Sequence, residues 1–348
     1  MLNEKIWDEF FIDDIAIIKA GKRLTKADMQ IGTTPFIGSS DSNNGITNFI
    51  SNTNSSADKN VLGVNYNGSV VENFYHPYKA IFSDDVKRLS LRKISGNKYH
   101  YLFIKSSILK QKNKYQYAYK FNEKRLKRQK IMLPSTSDKN VDWKFTEQYI
   151  KELLIKKLDT YLTYCKQELD KITFKKIEPL NGKNWGEFFI EDIAEITSGI
   201  DIYDAERIIG TVPYISSTAQ RNGISHFVGN TNKTLEKNCI SVNRNGSVGY
   251  SFYHSYQGLF SNDCRKLRPK YQSKFVGLFL ANQITRQKDK YNYGYKMGTG
   301  RLKRQKIMLP INHNNQPDYE YMEQYMINLE FMKRNQYLAY LKTQQQHV

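Results

Sequence analysis

The sequence holds little cysteine and none of it is paired: Cys165, Cys239 and Cys264 are far apart, with no CxxC spacing. That argues against a disulfide framework or a cysteine-based zinc site. None of the eight prolines adjoins another, so the Asn/Asp-Pro-Pro-Tyr motif of adenine and cytosine-N4 methyltransferases is missing. No GxGxxG or GxxxxGK[ST] loop occurs, which removes the commonest phosphate cradles. Clustered nuclease carboxylates are also missing: Pro317-Asp318 has no following (D/E)xK, and Asp85-Val86-Lys87 has no partner. No stretch approaches the roughly 18 uncharged apolar residues of a membrane span. The N-terminal MLNEKIWDEFFIDDI carries acids and lacks a signal-peptide pattern. These absences predict a cytoplasmic, non-catalytic chain with no metal, no cofactor of its own and no membrane contact.

What the chain does have is positive charge. Lys and Arg number 53 against 34 Asp and Glu, a formal net charge of +19. Such an excess points to a polyanionic partner, with nucleic acid favoured over an anionic membrane surface. The plain alternative is a basic surface with no dedicated partner. At 348 residues, with 13% aromatics, the chain can build two cores of ordinary domain size.

It also has a repeat. RLKRQKIMLP occurs at 125–134 and again at 301–310. Trp7-Asp-Glu-Phe-Phe-Ile is matched by Trp185-Gly-Glu-Phe-Phe-Ile, and Asn44-Gly-Ile returns from Asn222, Asn67-Gly-Ser-Val from Asn245, and Phe74-Tyr-His from Phe252. The offset is about 178 residues at first and about 176 at the decapeptide, so one short indel lies between. A period this long means two copies of a whole domain.

Each copy reads alike. Phe10 to Ile18, and Phe188 to Ile196, are expected as strands. Short apolar runs punctuated by NNGI and NGSV follow, and Asn-Gly marks tight hairpin turns. From Tyr99 to Lys112, and Phe275 to Lys288, the apolar spacing is helical. The decapeptide reads as a final helix-strand element with its Leu, Ile and Met in the core. After Trp143, Ile150, Leu154, Leu158, Tyr161, Cys165, Leu169 and Ile172 form a heptad-like stripe. Tyr325, Leu329, Met332 and Tyr340 repeat it, and Thr146 is a candidate cap for the first of these helices. Each helix of about 26 residues would be about 39 Å long. The recurrent His76 and His254 read as buried structural histidines.

With the W-x-E-F-x-I-x-D-I openings, the NNGI and NGSV turns, the KYQYAYK and KYNYGYK stretches and both decapeptides in view, the chain resembles the specificity subunit of Type I and related Type IIB restriction–modification systems. The resemblance covers the whole length. It implies an α+β architecture: two homologous mixed α/β target-recognition domains in a pseudo-twofold arrangement, separated by two long antiparallel coiled-coil helices. The boundaries expected are 1–145 and 177–319 for the domains, and 146–176 and 320–348 for the helices. It further implies double-stranded DNA as ligand, with methyltransferase subunits, two of them, as partners. S-adenosylmethionine would be bound by the methyltransferase and not by this chain. A restriction or translocase subunit is a further expected partner. The competing expectations are a stand-alone tandem DNA-binding regulator or decoy, and a nuclease with a dispersed site.

Phosphate contacts position a protein on DNA and base contacts specify. Basic residues and tyrosines shared by the copies are therefore candidate phosphate contacts: Tyr117, Tyr119, Lys120, Arg125, Lys127, Arg128 and Lys130, with Tyr293, Tyr295, Lys296, Arg301, Lys303, Arg304 and Lys306. Docking to the methyltransferase would also require two equivalent surfaces. Base contacts should lie on turns, chiefly where the copies diverge. The candidates are Lys22, Arg23, Asn43, Tyr66 and Asn67, and Arg221, Arg244, Asn245 and Tyr250, because Arg pairs with guanine and Asn with adenine in the major groove.

Overall fold

In the first copy the strands are β1 (Trp7–Phe11), β2 (Ala16–Ala20), β3 (Ile31–Ile37), β4 (Ile46–Ile50), β5 (Val61–Asn65), β6 (Asn73–His76), β7 (Ile81–Phe82), β8 (Val86–Leu91) and β9 (Lys130–Pro134). Its helices are α1 (Ile12–Ile15), α2 (Lys98–Leu109), α3 (Glu123–Arg128) and the long α4 (Trp143–Leu169). The second copy repeats the order with β10 (Trp185–Phe189), α5 (Ile190–Ile193), β11 (Ala194–Ser198), β12 (Ile209–Ile215), β13 (Ile224–Val228), β14 (Cys239–Asn243) and β15 (Ser251–His254). It continues with β16 (Leu259–Phe260), β17 (Cys264–Pro269), α6 (Lys274–Thr285), α7 (Thr299–Lys303), β18 (Lys306–Pro310) and α8 (Tyr319–Gln345). This is a computed structural model, and it describes residues 2–115 and 118–345. The candidate residue Tyr117 lies outside the described residues. The chain divides into two compact units, Met1–Tyr161 and Leu162–Val348.

Each copy holds three sheets. In the first, β1 pairs with β9, β2-β8-β5-β6 make an antiparallel four-stranded sheet, and β4-β3-β7 make a smaller mixed one. The second copy has the same three, β10-β18, β11-β17-β14-β15 and β13-β12-β16. The core of the first copy gathers Ile12, Leu62, Leu89, Ile104, Ile108, Leu126, Ile131 and Leu133. Its counterpart gathers Ile190, Ile240, Leu267, Leu280, Ile284, Leu302, Ile307 and Leu309. The decapeptide is thus the α3–β9 or α7–β18 element, with its Leu and Ile side chains inside.

Four expectations from the sequence need correction. The strand expected from Phe10 to Ile18 is interrupted by α1, as its counterpart is by α5. Ile12 and Ile15 are both buried, and a spacing of three puts them on one side of a helical turn but on opposite faces of a strand. Met132 and Met308 leave the core, 45% and 41% exposed, because β9 and β18 alternate and the isoleucine and leucine take the inward positions. Thr146 is not the cap of α4: it is fully buried in the first turn and donates to the Trp143 carbonyl (2.8 Å). Asp142 accepts the Phe145 amide (2.9 Å), and Asp318 does the same for Tyr321 in α8 (3.1 Å), so the caps are aspartates. On the stripe of α4, Ile150 and Cys165 are buried, but Leu154 and Tyr161 are 41% and 38% exposed.

In the second unit the stretch 164–178 runs antiparallel to α8. Arg334 lies over the Tyr164 ring and bonds Cys165 Sγ (3.7 Å), and Phe174 meets Phe331. Asn328 bonds the backbone of Lys175 through both side-chain atoms, and Tyr321 donates to the Glu178 carbonyl (2.8 Å).

Candidate nucleic-acid interface

The antiparallel order β2-β8-β5 fixes which loops share an edge. Ala20 stands opposite Lys87, and Asn65 opposite Val86, so the loops 21–30, 66–72 and 83–85 emerge at one end. Lys22 is tied there through its amide to the Phe82 carbonyl (2.9 Å). The turn 38–45 is drawn to the same end by Ser83 N to Ile37 O (2.9 Å), Ser69 N to Ser39 O (3.1 Å) and Asn65 Nδ2 to Ser40 O (3.0 Å). The fold therefore brings Lys22, Arg23, Asn43, Tyr66 and Asn67 to one edge.

That edge is built by residues committed to it. Asn43 and Asn44 adopt positive φ (49° and 55°), and Arg221 and Asn222 repeat the geometry (50° and 55°). An asparagine bears this conformation with little strain, but an arginine bears it at a cost. Arg221 is exposed. Asn67 Nδ2 donates to Asp85 Oδ1 (3.0 Å), and Asn245 Nδ2 to Asp263 Oδ1 (3.1 Å). Each amide thereby closes its own turn, and its oxygen is buried without a partner among the described residues. Tyr66 lies under Lys87, and burial together with Asp85 and Asp84 raises its hydroxyl pKa. Its counterpart Arg244 reaches Asp263 (3.8 Å) and stands near Arg265. Burial, then the Arg244 charge, pushes the Arg265 pKa down. Tyr250, half-buried, replaces Glu72 of the first copy, where Glu72 pairs with Lys112 (2.5 Å).

The shared basic stretch begins beside this edge. Glu123, first in α3, is 3.8 Å from Lys87. The Tyr115 and Tyr119 rings stack at 5.7 Å, and the Arg125 guanidinium caps Tyr119 at 3.7 Å. Arg125 is also tied to the Lys120 carbonyl (2.7 Å). Tyr291, Tyr295 and Arg301 repeat the stack at 5.7 and 4.0 Å, with Arg301 on the Lys296 carbonyl (2.8 Å). Tyr115 donates to Gln129 Oε1 (2.7 Å) and Tyr291 to Gln305 Oε1 (2.6 Å). Both lower tyrosines have raised pKa values, burial being the main cause. The upper rings stay in contact with solvent, Tyr119 52% and Tyr295 49% exposed, and Tyr293, outside the stack and under Lys296, is 78% exposed. Each copy thus holds a guanidinium on a two-ring platform, a group suited to meet an oxyanion.

The other shared residues are placed differently. Lys127 pairs with Glu123 within α3 (3.0 Å). Arg128, Lys303 and Arg304 are exposed. Lys130 and Lys306 sit on the two-stranded ribbons, each paired with Glu9 or Glu187 (2.9 Å) and lying over Phe11 or Phe189. Residues missed from the sequence are Lys87 with Arg265, and Lys112 with Lys288. These positions stay basic in both copies, and the same shared-charge argument applied along the whole repeat would have found them. His76 and His254 are buried, bonded to Tyr78 and Tyr256 hydroxyls. No group of three potential metal-ligating side chains occurs among the described residues, and no described helix is long and apolar enough to cross a membrane.

Comparison with known proteins fits this duplicated frame. A curated relative, the Type II restriction enzyme specificity subunit S.BcgI of Heyndrickxia coagulans, is 59% identical over 152 residues. That match spans 44% of this chain and 45% of the relative, less than half of its length. A solved structure, the Type-I restriction-modification system S subunit from M. genitalium, superposes with a TM-score of 0.52 at 16% identity, covering 98% of this chain and 93% of that one. The family model for the Type I restriction modification DNA specificity domain matches twice, at residues 4–161 and 182–338. The chain belongs to that family, once in each half.

Proposed function

We propose that the protein is the DNA-recognition subunit of a restriction–modification complex. Each copy reads one half of a bipartite, gapped double-stranded target, and the chain brings methyltransferase subunits to it without catalysing anything itself. The observation that carries this reading is one frame used twice with different contents at one edge. The Tyr-Tyr-Arg stacks are the same in both copies, as phosphate contacts can be. The residues at the loop edge differ, Tyr66 against Arg244 and Asn43 against Arg221, as base contacts to unlike half-sites must. A net charge of +19 suits a polyanion.

In this reading S-adenosylmethionine belongs to the methyltransferase, which is present in two copies, one for each half-site. A restriction subunit joins where the system cuts. The test is a methylome of the host with and without the gene. Loss of a gapped, adenine-methylated motif on deletion supports the reading and supplies both half-sites. An unchanged methylome with the gene expressed refutes it, and a stand-alone DNA-binding regulator then takes its place.

A further inference from the structure

The far end of the β3–β4 hairpin carries an isoleucine almost wholly in water. Ile31 is 98% exposed, and so is Ile209 at the start of β12. Phe49 and Phe227 on the same hairpins are 55% and 57% exposed. Burial of such side chains would be worth having, so their exposure twice over calls for an occupant.

The backbone under them is fixed by the same device in both copies. A Cβ on Gly32 would lie 2.3 Å from the Ser51 nitrogen, and one on Gly210 would lie 2.3 Å from the Gly229 nitrogen. Asn52 accepts the Gln30 amide (2.8 Å) and donates to the Asp28 carbonyl (3.1 Å). Asn230 accepts the Ile208 amide and donates to the Glu206 carbonyl, both at 2.9 Å. A rigid, exposed apolar side chain loses little entropy on binding, the property of an interface anchor.

Two kinds of surface can stay the same in both copies: one that meets the DNA backbone, and one that meets a protein present twice. The backbone is excluded here by chemistry, because the anchor is apolar and an exposed acid, Asp28 or Glu206, stands at the same place in each copy. Base reading is excluded by the identity itself where the half-sites differ. We infer that each hairpin end docks one copy of the same protein, through an apolar socket rimmed with basic side chains, and that this protein is the methyltransferase subunit. The inference rests on the function proposed above.

The test uses the full chain, the purified methyltransferase subunit and a target duplex. Mass measurement in solution should find two methyltransferase copies on the wild-type chain. Ile31→Asp or Ile209→Asp should weaken one of the two binding events by about tenfold or more, and the double variant should weaken both. Both positions are in water, so thermal unfolding and DNA binding by the chain alone should not change. A benzophenone amino acid at position 31 or 209 should crosslink to the methyltransferase. Crosslinks to DNA or to a second copy of the chain, no crosslink at all, or undiminished binding by the double variant would overturn the inference. A wild-type chain that takes up DNA but no methyltransferase defeats the inference and leaves the DNA-binding part of the function standing. A chain that takes up neither defeats both.

Discussion

The loop that leaves β2 carries Lys22, Arg23 and Lys26, whereas the loop that leaves β11 has Ile200, Asp201 and Asp204 at those places. The two start from the same anchor. A Cβ on Gly21 would lie 1.9 Å from the Ser83 carbonyl oxygen, and one on Gly199 would lie 2.0 Å from that of Ser261. Gly21 N bonds Val86 O, Lys22 N bonds Phe82 O, and Ile200 N bonds Phe260 O. So the path of the backbone is retained while the charge on it is inverted. The lesson is that frame and reading surface are separable in this chain, residue by residue. Substitutions in the frame should cost the two copies alike, and substitutions on the surface should not.

The frame gives the largest expected effects. Gly21→Ala and Gly199→Ala each push a methyl into backbone, and each should destabilise its own copy by about 3 kcal/mol or more, read as a shift in thermal unfolding. Unequal losses would break the claim that the copies share a frame. A second frame effect depends on pH. Burial lowers the pKa of His76 and of His254 to about 4, with the Lys105 charge adding to the effect at His76. Both are therefore neutral in the folded chain where the unfolded chain, near pH 6.5, begins to bind a proton. Their contribution to stability is complete above about pH 6.5 and falls as pH drops toward 4, by at most about 1.4 kcal/mol per pH unit for each histidine. Denaturant unfolding between pH 7 and 4.5 checks this. His76→Gln should flatten part of the slope, and a slope that does not change would remove His76 from it.

Surface substitutions should act on one half-site or on affinity alone. Arg244→Ala should relax one position of one half-site by about 1–3 kcal/mol and leave the other half-site, met by Tyr66 at the same place, as it was, measured by selection from a randomised duplex. Arg125→Ala and Arg301→Ala should each lower affinity for every sequence and reduce the salt slope by about one. An altered target motif in either would move that arginine from the backbone to the bases.

Much of this frame was legible. The period of about 178 residues, the helices α2 and α6 and the inward Leu and Ile of the decapeptide follow from spacing and pattern, which depend on nearby residues. The remainder depends on contacts between distant residues. Nothing in FFIDDI announces a helical turn until Ile12 and Ile15 share one core. The edge that gathers Lys22, Asn43 and Tyr66 depends on strand order β2-β8-β5, which no local signal sets. Asn67 and Asn245 show the same limit at single residues. An Asn-Gly turn is visible in sequence, but that its amide is spent on Asp85 or Asp263 is visible only once β8 and β17 are in place.

The smallest expected effect sharpens the comparison most closely. His254 Nε2 meets Ser241 Oγ at 2.8 Å, while the buried His76 Nε2 has no partner among the described atoms. The reason is one residue: β14 has Ser241 where β5 has Gly63. A Cβ at Gly63 would lie 3.0 Å from His76 Nε2 and 3.3 Å from the Phe82 ring, so a serine fits only if the imidazole gives by a few tenths of an ångström. The second copy has the same imidazole, with Phe260 edge-on at 5.4 Å, beside a serine, so the frame tolerates that arrangement. Gly63→Ser should therefore supply the missing bond, remove some backbone freedom from the unfolded chain, and stabilise the first copy by about 0.5–1 kcal/mol. Ser241→Gly should destabilise the second copy by a similar amount. A loss of stability in Gly63→Ser would mean that the two histidine pockets, alike in their tyrosine and phenylalanine but with Lys105 near His76 where the second copy has Ala281, differ in backbone spacing, and that the frame is shared less closely than its sequence suggests.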